Sequence, residues 1–292
     1  MKSIHGIWVP LVTPFRQGQV DFDAVQRLAS NLVTKGVHGL VVCGTTGEAC
    51  ALDDSEQQAL LDAVLAAVGS DCPVLMGVGG SDTRSVVEQA RRYDEHDIAG
   101  FLVAAPAYVR PSQEGLLRHF EAIAQNTGHD IVLYNIPSRT GVNIELPTLQ
   151  ALACNPRFVA IKECGGDINQ LIDVINETSL AVLGGDDALI LPTLCLGGRG
   201  AIAASAHIRP DLFVALYERV QSGDLAEARA IFQRLLPLIR TLFSEPNPGP
   251  VKAALARDGW VKDELRLPMT SVSAQCRNRL AQIMESLDEV LV

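Results

Sequence analysis

The chain reads as an α/β protein, a closed (β/α)8 TIM barrel with a C-terminal helical appendage, on three observations. Short β-rich runs recur eight times, at spacings of about 20 to 35 residues. Amphipathic segments with helix-start signals fill the gaps, and strand–helix alternation over crossover-length connections implies parallel strands in right-handed βαβ units. The third is size: 292 residues hold one barrel, which takes about 250, and eight units argue for closure over an open sheet.

The runs cover residues 6–12, 39–43, 73–78, 100–104, 130–134, 158–162, 180–183 and 200–203. Their nearly unbroken apolar character, as in Leu40-Val41-Val42-Cys43, suits strands buried on both faces. The segments between them open on capping residues. Asp21-Phe22-Asp23, Asp53-Asp54-Ser55-Glu56, Ser81-Asp82 and Ser112-Gln113-Glu114 all read as helix starts. From Asp224 the pattern turns helical, over 225–243, 251–258 and 272–291. Breaks fall at Glu245-Pro246-Asn247-Pro248-Gly249-Pro250 and at Leu267-Pro268. The expected division is a catalytic barrel at 1–223 and a helical region at 224–292.

Composition narrows the function. The net charge is −10, and no basic run exceeds Arg91-Arg92, which argues against nucleic acid or an anionic membrane surface as partner. No stretch approaches the roughly 20 apolar residues of a membrane span. Met1-Lys2-Ser3-Ile4-His5-Gly6 leads directly into strand-like sequence without a signal-peptide core, so a cytosolic, cytoplasmic location is expected. The seven cysteines form no C-x-x-C and mostly sit beside Ala, Val or Leu, as small buried hydrophobes do in a reducing compartment. The six histidines show no zinc spacing. No metal and no cofactor are expected. Gly198-Arg199-Gly200-Ala201-Ile202-Ala203 fits a loose G-x-G-x-x-A, but it precedes a strand and is no dinucleotide fingerprint.

In this fold catalysis sits at the C-terminal ends of the strands. Lys162 closes the run Phe158-Val159-Ala160-Ile161, where an ammonium is costly to bury. Either it snorkels out of the sheet end, or desolvation strips much of its charge and leaves an amine able to attack carbonyls. The second run ends in Gly44-Thr45-Thr46-Gly47-Glu48, either a plain turn or a pair of hydroxyls that hold a carboxylate or relay a proton. The fifth ends in Tyr134-Asn135-Ile136-Pro137-Ser138-Arg139-Thr140-Gly141. There Tyr134 suits proton transfer, and Arg139 suits a carboxylate or a surface ion pair. Tyr108 is expected to be exposed in a proline-bounded loop after the fourth run, there either for packing or for catalysis. A lysine in an apolar barrel beside tyrosine and threonine hydroxyls is what imine formation with a 2-oxo acid requires.

These segments, with Val9-Pro10-Leu11-Val12-Thr13-Pro14-Phe15, Gly185-Asp186-Asp187-Ala188 and Leu265-Arg266-Leu267-Pro268-Met269-Thr270, run through essentially the whole chain in order. The chain thereby resembles the dihydrodipicolinate synthase / N-acetylneuraminate lyase family of class I, pyruvate-dependent aldolases. The resemblance implies that Lys162 is the Schiff-base lysine, and that Tyr134, Thr45 and Tyr108 form a proton relay, Tyr108 being lent by a neighbouring subunit. It implies that Thr46 holds the pyruvate carboxylate, that Gly185 and Ile202 offer backbone carbonyls, and that Arg139 binds the carboxylate of the aldehyde. A Ser-Arg-Thr-Gly loop goes with the synthase branch, which condenses pyruvate with aspartate semialdehyde towards diaminopimelate and lysine. The alternatives are a sibling aldolase or dehydratase acting on a sugar acid, and a non-catalytic pyruvate binder. Members are commonly homotetramers, dimers of dimers. The chain departs from lysine-inhibited members at Ala49, Asp54, Gln57, Ser81, Ser85 and Ala107. Insensitivity to lysine is therefore expected.

Overall fold

The computed structural model describes residues 4–288. Eight strands close a barrel: β1 (Gly6–Pro10), β2 (Gly39–Val42), β3 (Val74–Val78), β4 (Gly100–Ala104), β5 (Ile131–Asn135), β6 (Phe158–Glu163), β7 (Ala181–Gly184) and β8 (Gly200–Ile202). Around the barrel each strand neighbours the next in sequence, and β8 returns to β1. The pairs recorded between neighbours are parallel. Seven strands match a predicted run to within a residue at either end, and β1 stops two residues short of its run; strands covered on both faces must be apolar throughout.

A helix follows every strand: Phe22–Thr34, Asp54–Val68, Thr83–Arg92, Gln113–Ala124, Leu146–Ala153, Ile168–Glu177, Ile190–Cys195 and Pro210–Gln221. The predicted caps do their work at the starts. Asp21, Asp82 and Ser112 each accept a first-turn backbone N–H, and Asp53 forms a reciprocal capping box with Glu56. Each such cap contributes about 1 kcal/mol. Sequence reasoning missed the hairpin of Phe15–Arg16 with Gln19–Val20 and the short helix Pro137–Thr140. Elements of two to four residues are too short to display a period.

The tail forms helices Leu225–Leu242, Gly249–Arg257 and Ala274–Asp288. The first buries Leu235, Leu238, Ile239 and Leu242 along one stripe. The predicted stretch 272–291 begins two residues early, and its residues 289–291 lie outside those described. Among the described residues no helix is long and apolar enough to cross a membrane.

Two compact units make up the chain: residues 4–6 with 73–202, and residues 7–72 with 203–288. The core of the second shows how local sequence fixes packing. Trp8 and Gly39 are register partners on β1 and β2. A Cβ on Gly39 would lie 2.3 Å from the indole ring, so glycine is what admits the largest fully buried side chain among the described residues.

Candidate active site

The first unit carries the lysine. Tyr134 and Lys162 are register partners across β5 and β6, so both side chains leave the sheet on one face. Both are buried. The Lys162 amine lies 4.4 Å from the centroid of the Tyr134 ring.

Cys164, two residues on, lies beside the amine on the same face. Gly185 makes room for both side chains. A Cβ there would fall 2.2 Å from the Cys164 sulfur and 2.8 Å from Cγ and Cε of Lys162, while the Gly185 N–H donates to the Glu163 carbonyl at 2.9 Å.

Electrostatics correct one expectation. Burial disfavours the ammonium of Lys162, but Tyr134, Cys164 and Asp187 favour it, and its pKa is raised above the usual lysine value. The resting amine is therefore protonated, where desolvation alone had suggested loss of charge. Burial pushes the Cys164 thiol up to about 12, against the pull of the Lys162 ammonium. Asp187, itself buried, also favours the ammonium, after Tyr134 and Cys164.

The opposite face of β6 is also polar. Glu163 accepts from Asn135 Nδ2 at 3.0 and 3.1 Å and from the Gly165 N–H. Asn135 in turn donates to Asn143 at 2.7 Å. Burial pushes the Glu163 carboxyl up, against the pull of these donors. The cluster pins the strand end from which Lys162 projects.

Arg139 sits exposed on the helix Pro137–Thr140. The Tyr108 loop docks onto that turn, since the Tyr108 N–H donates to the Thr140 carbonyl at 3.2 Å. The Tyr108 ring is 92% exposed, on a backbone with φ +73°. Within one chain, then, Tyr108 is turned to solvent. Ile202 ends β8, buried.

The second unit carries the threonines, in a 3-10 turn over Thr45–Gly47 at the end of β2. Thr45 is exposed and Thr46 buried. The Thr46 hydroxyl accepts from Asn247 Nδ2 at 3.0 Å, and Thr13 Oγ1 donates to the Gly47 carbonyl at 2.6 Å. Because Asn247 occupies a lone pair, the Thr46 proton remains available to an incoming acceptor. Sequence reasoning missed Cys164, Glu163, Thr13 and Asn247. Only Cys164 left a signal, the two-residue alternation from Lys162.

A closed (β/α)8 barrel with a buried lysine and a phenol paired at adjacent strand ends defines an amine-bearing TIM-barrel framework. The dihydrodipicolinate synthetase family model matches residues 3–287, and the chain belongs to that family. It is 39% identical over 283 residues to 4-hydroxy-tetrahydrodipicolinate synthase of Thermodesulfovibrio yellowstonii, covering 96% of this chain and 97% of the relative. The same-named protein of Syntrophobacter fumaroxidans is 40% identical over 285 residues, covering 97% and 98%. The solved 4-hydroxy-tetrahydrodipicolinate synthase of Methylacidiphilum fumariolicum SolV superposes with a TM-score of 0.96 at 36% identity, covering 98% of this chain and 97% of that one.

Proposed function

We propose that the protein is a class I lyase that condenses pyruvate with aspartate semialdehyde through an imine on Lys162, giving 4-hydroxy-tetrahydrodipicolinate. The observation that carries this reading is the buried register pair of Lys162 and Tyr134, with the amine 4.4 Å from the phenol ring. The ammonium first gives up its proton, and the neutral amine attacks the carbonyl carbon of pyruvate. Loss of water yields the imine, whose nitrogen draws electrons from the adjacent methyl carbon.

Tyr134, Thr45 and a Tyr108 lent by a second copy pass the methyl proton along, and the resulting enamine carbon attacks the aldehyde. Attack by the substrate's own amine on the imine carbon closes the ring and releases Lys162. Thr46 holds the pyruvate carboxylate, Gly185 and Ile202 face the substrate with backbone carbonyls, and Arg139 takes the second carboxylate.

Delivery of Tyr108 from a neighbour makes the working form an oligomer, in this reading a homotetramer in the cytoplasm. The region 224–292, described as far as residue 288, is its helical appendage to a catalytic barrel at 1–223, described from residue 4. The reading is tested by borohydride reduction in the presence of pyruvate, followed by peptide mass mapping. A reduced pyruvate adduct on Lys162 is expected. No adduct, or one on another lysine, overturns it.

A further inference from the structure

The second unit holds a buried ion pair that the reaction as proposed does not use. Glu48 follows the Thr45–Gly47 turn directly, and its backbone is left-handed at φ 52°. Its carboxylate lies buried against Lys252 Nζ, from the tail helix Gly249–Arg257. Lys252 is fully buried, donates to the Glu264 carbonyl at 2.9 Å and lies 4.1 Å from the centroid of the Phe15 ring.

The second carboxylate oxygen of Glu48 accepts the Arg266 N–H at 3.2 Å. Arg266 then grips Glu56 with two hydrogen bonds of 2.6 Å and the Ala51 carbonyl at 2.8 Å, both downstream of the same turn. Five residues before Lys252, Asn247 holds the Thr46 hydroxyl.

A buried pair of this kind is an expensive way to gain stability, since hydrophobic side chains of equal volume often do as well. The turn has backbone hydrogen bonds of its own, from the Gly47 N–H to the Gly44 carbonyl at 3.0 Å and from the Glu48 N–H to the Thr45 carbonyl at 3.2 Å. What the pair adds is direction, because a left-handed residue anchored on both carboxylate oxygens fixes where the preceding two threonines point.

We propose that Glu48 and Lys252 are positioning residues: the tail, through this pair, sets the Thr45-Thr46 turn in the geometry that proton transfer needs. The proposal rests on the reading of Thr45 as a relay residue. It gives the helical tail a part in the chemistry that packing alone would not.

The test compares Glu48→Gln, Lys252→Met and the double variant Glu48→Gln/Lys252→Met with wild type. Three readouts are taken: thermal midpoint, the borohydride adduct with pyruvate, and exchange of the pyruvate methyl protons with deuterated water. Each single variant strands one buried charge and loses stability. The double variant regains most of the midpoint and still forms the Lys162 adduct. Its exchange rate stays down roughly 10- to 100-fold, the scale of a catalytic group displaced by about 1 Å. A double variant that regains both its midpoint and a wild-type exchange rate overturns the positioning role alone. A wild type that forms no adduct overturns the function reading, and this inference with it.

Discussion

Replacing Gly185 by alanine separates folding from chemistry at the lysine. The added methyl would stand 2.8 Å from Cγ and Cε of Lys162 and 2.2 Å from the Cys164 sulfur. Unbonded carbons settle at about 3.5 to 4.0 Å, so the lysine stem must retreat by about 1 Å and the thiol must rotate away. Both are side chains, which lets the backbone stay put, and overpacking of this kind costs about 1 to 3 kcal/mol. The reacting amine rides on that stem, and a displacement of about 1 Å costs on the order of a hundredfold in rate. Gly185→Ala is therefore expected to fold with a modestly lowered melting temperature and to form the pyruvate adduct about a hundredfold more slowly. Stopped-time borohydride trapping measures that rate, and circular dichroism follows the fold. Adduct formation at the wild-type rate in a folded Gly185→Ala would refute the close packing of Gly185 on Lys162.

Because the pKa of Lys162 lies above the usual lysine value, the neutral amine gains population steadily as pH rises. The trapping rate should climb from pH 6 to 9 without a plateau, and a plateau below pH 8 would contradict the protonated resting state. His207 is buried, its Nε2 accepting the Val12 N–H at 3.1 Å and its Nδ1 2.8 Å from the Ala204 carbonyl, and burial lowers its pKa to about 4. The unfolded imidazole takes up its proton near pH 6.5, so this contribution is whole above that value and is lost as pH falls towards 4, on the order of 3 kcal/mol. Urea midpoints between pH 7.5 and 4.5 should fall more steeply for wild type than for His207→Gln; equal slopes would sink the assignment. Free lysine at millimolar concentration should leave turnover unchanged. Gln57 spends its amide on the Ala49 and Leu52 carbonyls, and Ser81 spends its hydroxyl on the Ala107 carbonyl. Clear inhibition by lysine would show that these positions still form an effector site.

Much of this molecule was legible in one dimension. The barrel strands were readable because each is an unbroken apolar run, and Lys162 was readable because it breaks one. The helix starts were visible because Asp21, Asp53, Asp82 and Ser112 cap locally, within three residues of the N–H groups they satisfy. What stayed hidden is non-local. Asn247 and Thr46 are 201 residues apart in sequence, and no periodicity links Glu48 to Lys252. The direction of the Lys162 shift was also beyond reach, since it depends on Tyr134, Cys164 and Asp187 gathered around one amine. Burial alone predicted the wrong direction; the neighbours reversed it.

The central claim is that Lys162 condenses pyruvate with aspartate semialdehyde, and turnover tests it most directly. Wild type and Lys162→Ala would be supplied with both substrates and coupled to the reductase that consumes the product, with loss of NADPH followed. The account predicts pyruvate-dependent turnover in wild type and none in a folded Lys162→Ala. Turnover that survives the loss of Lys162, or none in a wild type that still traps pyruvate, would contradict it.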